Sequence, residues 1–140
     1  MIIITFILFL IFMALSCLHF YWGFGGKWGS RAVVPTKENG IPVFVPRTIS
    51  TFVVAVGLLC FGLFYLINYG FIEMSFPIWL DKTGFWIIAS IFILRAIGDF
   101  NYVGFFKKHK SSKFATNDTK YYSPLCSLIG ILTLVLEFYN

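Results

Sequence analysis

Long apolar runs separated by short polar stretches dominate the pattern along this chain. Four runs are long enough to cross a hydrocarbon core of about 30 Å, which needs roughly 20 helical residues. They cover about residues 2–24, 48–68, 83–106 and 121–138. Because backbone that faces lipid must satisfy its own hydrogen bonds, each run is predicted to be an α-helix. We therefore expect an all-α membrane protein, an antiparallel four-transmembrane-helix bundle in which residues 1–140 form a single integral membrane domain.

The composition supports a membrane protein over a soluble domain. Hydrophobic residues make up 59% of the chain and charged residues 12%, whereas soluble domains average roughly 45–50% and about 25%. A soluble fold this apolar lacks the polar atoms needed to cover its surface.

The lysines and arginines predict the orientation in the membrane. Cytoplasmic loops of membrane proteins are enriched in these residues. The loops after the first and third predicted helices are basic, whereas the loop between the second and third holds only Lys82 beside Glu73 and Asp81. Both basic loops are thus expected in the cytoplasm and both termini outside. The basic residues are Lys27, Arg31, Lys37, Arg47, Lys107, Lys108, Lys110, Lys113 and Lys120.

This placement also accounts for the formal net charge of +5. The basic side chains lie next to predicted membrane spans, so no nucleic-acid partner is expected. The expected partners are the lipid bilayer itself and anionic lipid headgroups at the basic loops. A homo-oligomer or a membrane-protein partner stays open.

The loop between the first two predicted helices has turn signals of its own. Pro35, Pro42 and Pro46 oppose a helix there, and Asn39-Gly40 is a strong turn signal. A short hairpin-like loop against the cytoplasmic membrane face is predicted.

Two charged residues inside the third apolar run indicate a site. Arg95 and Asp99 are four residues apart, which places them on one face of a continuous helix and predicts an ion pair. Counting the helical rise back from Phe106 places Asp99 roughly 10 Å and Arg95 roughly 16 Å from the cytoplasmic end. Charges at such depth are costly and are commonly functional, although a pair that only fixes packing is an equally good interpretation.

Other polar residues are expected in the same cytoplasmic half of the membrane. His19 lies near the predicted end of the first helix, roughly 7–8 Å deep. Together with Arg95 and Asp99, the polar residues of this half predict a polar pocket that opens to the cytoplasm, with the first loop as its lid. The predicted pocket residues are His19, Tyr21, Arg95, Asp99, Asn101, Tyr102, Ser123 and Cys126.

No cofactor or metal site is predicted. Two histidines, one of them in a loop, do not supply the ligands of a zinc site, and no catalytic motif is present. The three cysteines lie in apolar runs, where free thiols that pack as small hydrophobic side chains are expected.

Three segments resemble a known family. They are His19-Phe20-Tyr21-Trp22 with Gly25-Gly26, the stretch from Arg95 to Lys107, and a last motif of Phe114-Ala115, Asp118-Thr119 and Tyr122 to Cys126. They are similar to motifs of domain of unknown function 3995 (DUF3995), a family of small bacterial membrane proteins. The resemblance implies a four-helix protein of the bacterial cytoplasmic (inner) membrane and supplies no reaction.

The sequence leaves three functions open. The first is a binding or sensing module, or a subunit of a membrane complex. The second is a small transporter or channel that works as an oligomer. The third is an enzyme acting on a lipid or isoprenoid headgroup, with Arg95 holding an anionic group and His19 or Asp99 moving a proton. Whether the protein is an enzyme stays undecided at this level.

Overall fold

The computed structural model describes residues 1–139, and its regular structure over that range is helical. Four helices are long: α1 (Ile2–Gly23), α2 (Thr48–Asn68), α3 (Ile78–Ile97) and α5 (Ser123–Tyr139). Three short elements complete the order, namely a 3₁₀ turn at Ser30–Ala32, helix α4 at Lys113–Asn117 and a π-helical turn at Asp118–Tyr122.

Three helical segments are long and apolar enough to cross a membrane. They are α1, α2 and the continuous run Lys113–Tyr139, which comprises α4, the π-helical turn and α5. Helix α3 has 20 residues, and Asp81, Lys82 and Arg95 are placed so that every stretch of 18 residues within it carries three charges, whereas each of the other three contains such a stretch with at most two. The chain therefore has the helices of a membrane protein.

The predicted bounds of the third helix are wrong at both ends. The sequence predicted residues 83–106, whereas α3 begins at Ile78 and ends at Ile97. Pro77 immediately precedes the helix, and Asp81 and Lys82 lie in its first turns. At the other end, Gly98 adopts a positive φ of 85°, which is not a helical conformation and therefore ends the helix; glycine adopts it readily because it has no Cβ.

The helices pack mainly in two pairs, α1 on α2 and α3 on α5. In the first pair Ser16 donates a hydrogen bond to the Ala55 carbonyl oxygen at 2.7 Å. The two pairs meet in an aromatic core, where Tyr65 of α2 lies 5.8 Å from the Phe85 ring of α3. The Tyr65 hydroxyl also contacts Thr133 of α5 at 2.7 Å, so the core joins both pairs.

Loop 1, residues 24–47, contains the expected hairpin-like turn. Thr36 and Pro42 form an isolated antiparallel bridge, and the Lys37 N–H donates to the Ile41 carbonyl at 2.8 Å. Residues 1–139 contain no β-strand longer than this bridge. The Tyr122 hydroxyl donates to the Ala32 carbonyl at 3.0 Å, so loop 1 is tied to the start of the last helix.

Candidate functional site

Loop 3, residues 98–112, turns back tightly on the end of α3. Gly98 and Gly104 both have positive φ, and they lie against each other. A Cβ on Gly98 would lie 1.8 Å from the Val103 carbonyl oxygen, and one on Gly104 would lie 2.3 Å from that of Ile97. Only glycine fits both the conformation and the space. The close approach holds the following residues next to the helix end.

Asp99 caps this turn and does not pair with Arg95, so the predicted ion pair is wrong. Its Oδ1 accepts from the backbone N–H groups of Asn101, Tyr102 and Val103 at 2.9, 2.9 and 3.0 Å. Partial burial raises the pKa of the Asp99 carboxyl, but these hydrogen bonds stabilise the carboxylate more, so its pKa lies below the ordinary value. The i, i+4 pairing fails because the helix ends between the two residues.

The partner of Arg95 is Asp118, in the π-helical turn. Arg95 Nη2 donates to Asp118 Oδ1 at 3.0 Å, and the Asp118 side chain is completely buried. Asp118 Oδ2 also accepts from the Gly104 N–H at 2.7 Å. One buried carboxylate thus binds the end of α3, loop 3 and the start of the last helix together.

Lys107 is the second cation at Asp118, and its side chain is also completely buried. Its Nζ donates to Asp118 Oδ2 at 3.2 Å, to the Gly104 carbonyl at 2.9 Å and to the Thr119 hydroxyl. An ammonium group has three N–H donors, so all of them have acceptors. Lys107 therefore neutralises Asp118 from inside the protein.

Arg95 is far less satisfied than Lys107. A guanidinium has five N–H donors, and within residues 1–139 Arg95 makes a single hydrogen bond, the one to Asp118. Its Nη1 is buried without a partner, although 34% of the side chain is exposed. With two cations on one carboxylate, the cluster of Arg95, Lys107 and Asp118 has one positive charge in excess.

Two of the predicted pocket residues lie on α5 near this cluster. Ser123 is buried, and its hydroxyl has no hydrogen-bond partner within residues 1–139. Cys126 is a free, partly buried thiol, close enough to Arg95 and Asp118 to interact electrostatically with both. Their three-residue spacing places Ser123 and Cys126 on one helix face.

The π-helical turn explains how Asp118 reaches that face. Asp118 and Ser123 are both buried although they are five positions apart. A five-residue step leaves the face in an α-helix but keeps it in a π-helix, where hydrogen bonds join i and i+5. The buried series is Phe114, Ala115, Asp118, Ser123, Ile129, Gly130, Thr133 and Leu136.

His19 and Tyr21 are held by local contacts. His19 Nδ1 donates to the Leu15 carbonyl one turn earlier at 2.7 Å, and its ring packs edge-on against Trp22 at 5.2 Å. The Tyr21 hydroxyl accepts from the Trp28 N–H at 3.3 Å. Neither side chain is hydrogen-bonded to the Arg95 cluster.

Asn101 and Tyr102 belong to a second location, where loops 1 and 3 meet. The Tyr102 ring stacks on His109 with centroids 4.6 Å apart, and His109 Nδ1 lies 3.5 Å from a Glu38 carboxylate oxygen. The Asn101 carbonyl accepts from the His109 N–H at 3.0 Å. These contacts border an open cleft of about 340 Å³ lined by Lys37, Glu38, Asn39, Tyr102 and His109.

Sequence reasoning missed Asp118 and Lys107. Both lie in the predicted basic loop between the third and fourth apolar runs, residues 107–120, so neither was included in the predicted pocket. A signal was available, because Lys107 and Asp118 both lie in segments that resemble the family motifs.

Within residues 1–139, no group of three or more metal-ligating His, Cys, Asp or Glu side chains is found.

Comparison with known proteins gives a family and no activity. A family model described as a protein of unknown function (DUF3995) matches residues 12–133. The match includes Arg95, Lys107 and Asp118. No curated protein and no solved structure matches the chain.

Proposed function

The chain belongs to the DUF3995 family, and we propose that it is a binding module of the bacterial cytoplasmic membrane. In this proposal Arg95, positioned by the buried Asp118 and Lys107, holds an anionic group, a phosphate or a carboxylate, at the cytoplasmic face. The protein acts as a binding or sensing unit or as a subunit of a membrane complex.

The state of Arg95 carries the proposal. The Arg95 side chain is one-third exposed, its guanidinium uses one of five donors and its buried Nη1 has no partner, while Lys107 already neutralises Asp118. Arginine donors form a planar fork that matches the two oxygens of a carboxylate or phosphate. Leaving such donors unpaired in a partly buried place is costly, so an anionic ligand is the natural complement.

The proposal treats α3 as a fourth membrane span. A 20-residue helix is about 30 Å long, the thickness of the hydrocarbon core. Its charges are near its two ends, with Asp81 and Lys82 in the first turns and Arg95 in the last. Charged side chains at helix ends reach the headgroup region at low cost.

Contacts between helices support an antiparallel arrangement of the four spans. Gly23 at the end of α1 lies against Phe52 at the start of α2, whereas Phe6 near the start of α1 packs on Phe71 just beyond α2. On the other pair, Trp86 in the first half of α3 donates to Glu137 near the end of α5 at 2.8 Å, whereas Arg95 near the end of α3 donates to Asp118, before the start of α5. With the basic loops inside, the Arg95 end of the bundle faces the cytoplasm.

Thermal unfolding of the purified protein in a neutral detergent tests the proposal. A ligand that binds only the folded state raises the midpoint with concentration, so we expect phosphate or carboxylate compounds, including amphiphilic ones, to stabilise the parent. Arg95→Gln should remove the effect. Arg47→Gln, which deletes an exposed positive charge at the start of α2, is the matched control and should keep it. If no anionic compound distinguishes the two variants, the proposal is wrong.

A further inference from the structure

The face of α3 that leads to Arg95 is apolar and exposed. Ile87, Ile91 and Leu94 are 44%, 44% and 66% exposed, and their spacing of four and three residues forms one stripe along the helix. Arg95 is four residues after Ile91 and lies at the edge of the stripe. We call Ile87, Ile91 and Leu94 the α3 stripe.

The stripe and Arg95 together have the dimensions of one lipid leaflet. Eight residues separate Ile87 from Arg95, a rise of about 12 Å, and half of the hydrocarbon core is about 15 Å. A lipid whose phosphate binds at the exposed edge of Arg95 would therefore have its acyl chain along the α3 stripe.

The charge of the cluster selects the headgroup. Asp118 is buried and neutralised by Lys107, so the excess positive charge lies on Arg95, the one partly exposed member of the cluster. A free anion would use that charge alone. An anionic phospholipid would use the charge, the guanidinium fork and the apolar stripe at once.

We propose that Arg95 binds the phosphodiester of an anionic phospholipid in the cytoplasmic leaflet, with an acyl chain on the α3 stripe. This rests on the proposed function and names its ligand. Lys107 and Asp118 position the guanidinium, and Arg95 alone of the three contacts the lipid.

Native mass spectrometry of the delipidated protein with added lipid tests this inference. The probes are phosphatidylglycerol, phosphatidylcholine and a fatty acid, with inorganic phosphate measured separately by thermal shift. The parent should retain one phosphatidylglycerol at collision energies that strip the other lipids. Arg95→Gln should weaken that retention at least about tenfold, the effect of losing a hydrogen bond to a charged group, while Arg47→Gln should leave it unchanged.

Two further variants distinguish the parts of the site. Arg95→Lys keeps the charge without the fork, and we expect it to retain less lipid than the parent and more than Arg95→Gln. Ile91→Ala should weaken the retention of phosphatidylglycerol and leave any thermal shift by inorganic phosphate unchanged. Circular dichroism and size-exclusion profiles like those of the parent confirm that each variant is folded.

The outcomes separate this inference from the proposed function. Equal retention by Arg95→Gln and Arg47→Gln overturns the lipid assignment. If the thermal shift by inorganic phosphate or the retention of the fatty acid depends on Arg95, and the retention of phospholipid does not, the proposed anion site stands and the lipid assignment is wrong. If the binding of none of the probes depends on Arg95, the proposed anion site and the lipid assignment are both wrong.

Discussion

Arg95, in the last turn of α3, donates to Asp118 across 23 residues of sequence, at 3.0 Å. The bond joins the end of α3 to the turn before α5 at the point where loop 3 folds back. The Asp118 carboxylate also accepts a hydrogen bond from Lys107, so Asp118 is the centre of the contacts at this end of the molecule. Its loss should therefore affect both folding and any ligand site.

Asp118→Asn should be strongly destabilising. It leaves the buried Lys107 ammonium without a counter-charge, and removing one partner of a buried pair costs roughly 3–5 kcal/mol in soluble proteins. The double variant Lys107→Met with Asp118→Leu removes both charges and should be more stable than Asp118→Asn alone. Thermal unfolding in detergent measures the order. A midpoint for Asp118→Asn equal to that of the parent would show that Lys107 does not depend on Asp118.

Asp99 should make stability depend on acid pH. Its pKa is lowered in the folded state, so its contribution is complete above the unfolded value of about 3.9 and is lost as pH falls through the lower folded value. Asp99→Asn keeps an acceptor oxygen but cannot ionise. We expect the parent to exceed this variant in thermal stability at about pH 6 and the difference to shrink towards about pH 3. A difference that does not change with pH would contradict this account.

Gly98→Ala and Gly104→Ala should each destabilise the protein by more than about 1 kcal/mol, because a side chain is strained at positive φ and a Cβ would overlap the backbone here. Gly57→Ala is the control. It lies within α2 with open space around its Cβ position, and alanine favours a helix over glycine. Gly57→Ala should therefore unfold at or above the parent temperature. Equal effects at all three positions would mean that the close approach in loop 3 is unimportant.

The orientation can be tested with a thiol reagent that does not cross membranes. The native residues Cys17, Cys60 and Cys126 are first replaced by alanine. In intact cells Glu73→Cys, between α2 and α3, should then react, whereas Ser111→Cys, in loop 3, should react only after the membrane is opened. The reverse pattern would place the basic loops outside and refute the positive-inside assignment.

The sequence predicted α1 and α2 almost to the residue because uninterrupted apolar runs leave few alternatives in a lipid environment. It failed at the end of the third helix, where Gly98 stops the helix inside an apolar run that continues to Phe106. Hydropathy alone does not register such a stop. The predicted Arg95–Asp99 pair failed for the same reason, since i, i+4 spacing has meaning only within a helix.

Parts of the candidate site follow from contacts between residues distant in the chain. Arg95 was predicted as a site residue, and so were Ser123 and Cys126, which the structure places on one face of α5 near it. The true partner, Asp118, lies in a segment whose polar composition is that of a solvated loop. Burial of Lys107 depends on three acceptors from two segments, which no local pattern encodes.

The π-helical turn at Asp118–Tyr122 makes the length of this segment as important as its composition. Thr119, Lys120 and Tyr121 are exposed, so substitutions at Lys120 and Tyr121 meet little packing constraint. Deleting one of these residues would restore a regular α-helix and shorten the step from Asp118 to Ser123 from five positions to four, which also keeps the two residues on one helix face. Asp118 would then stay on the buried face beside Lys107, whereas an added residue would make the step six positions, turn Asp118 off that face and leave Lys107 without its counter-ion. Over this short stretch, selection is expected to tolerate changes of residue and a single deletion, and to reject insertions.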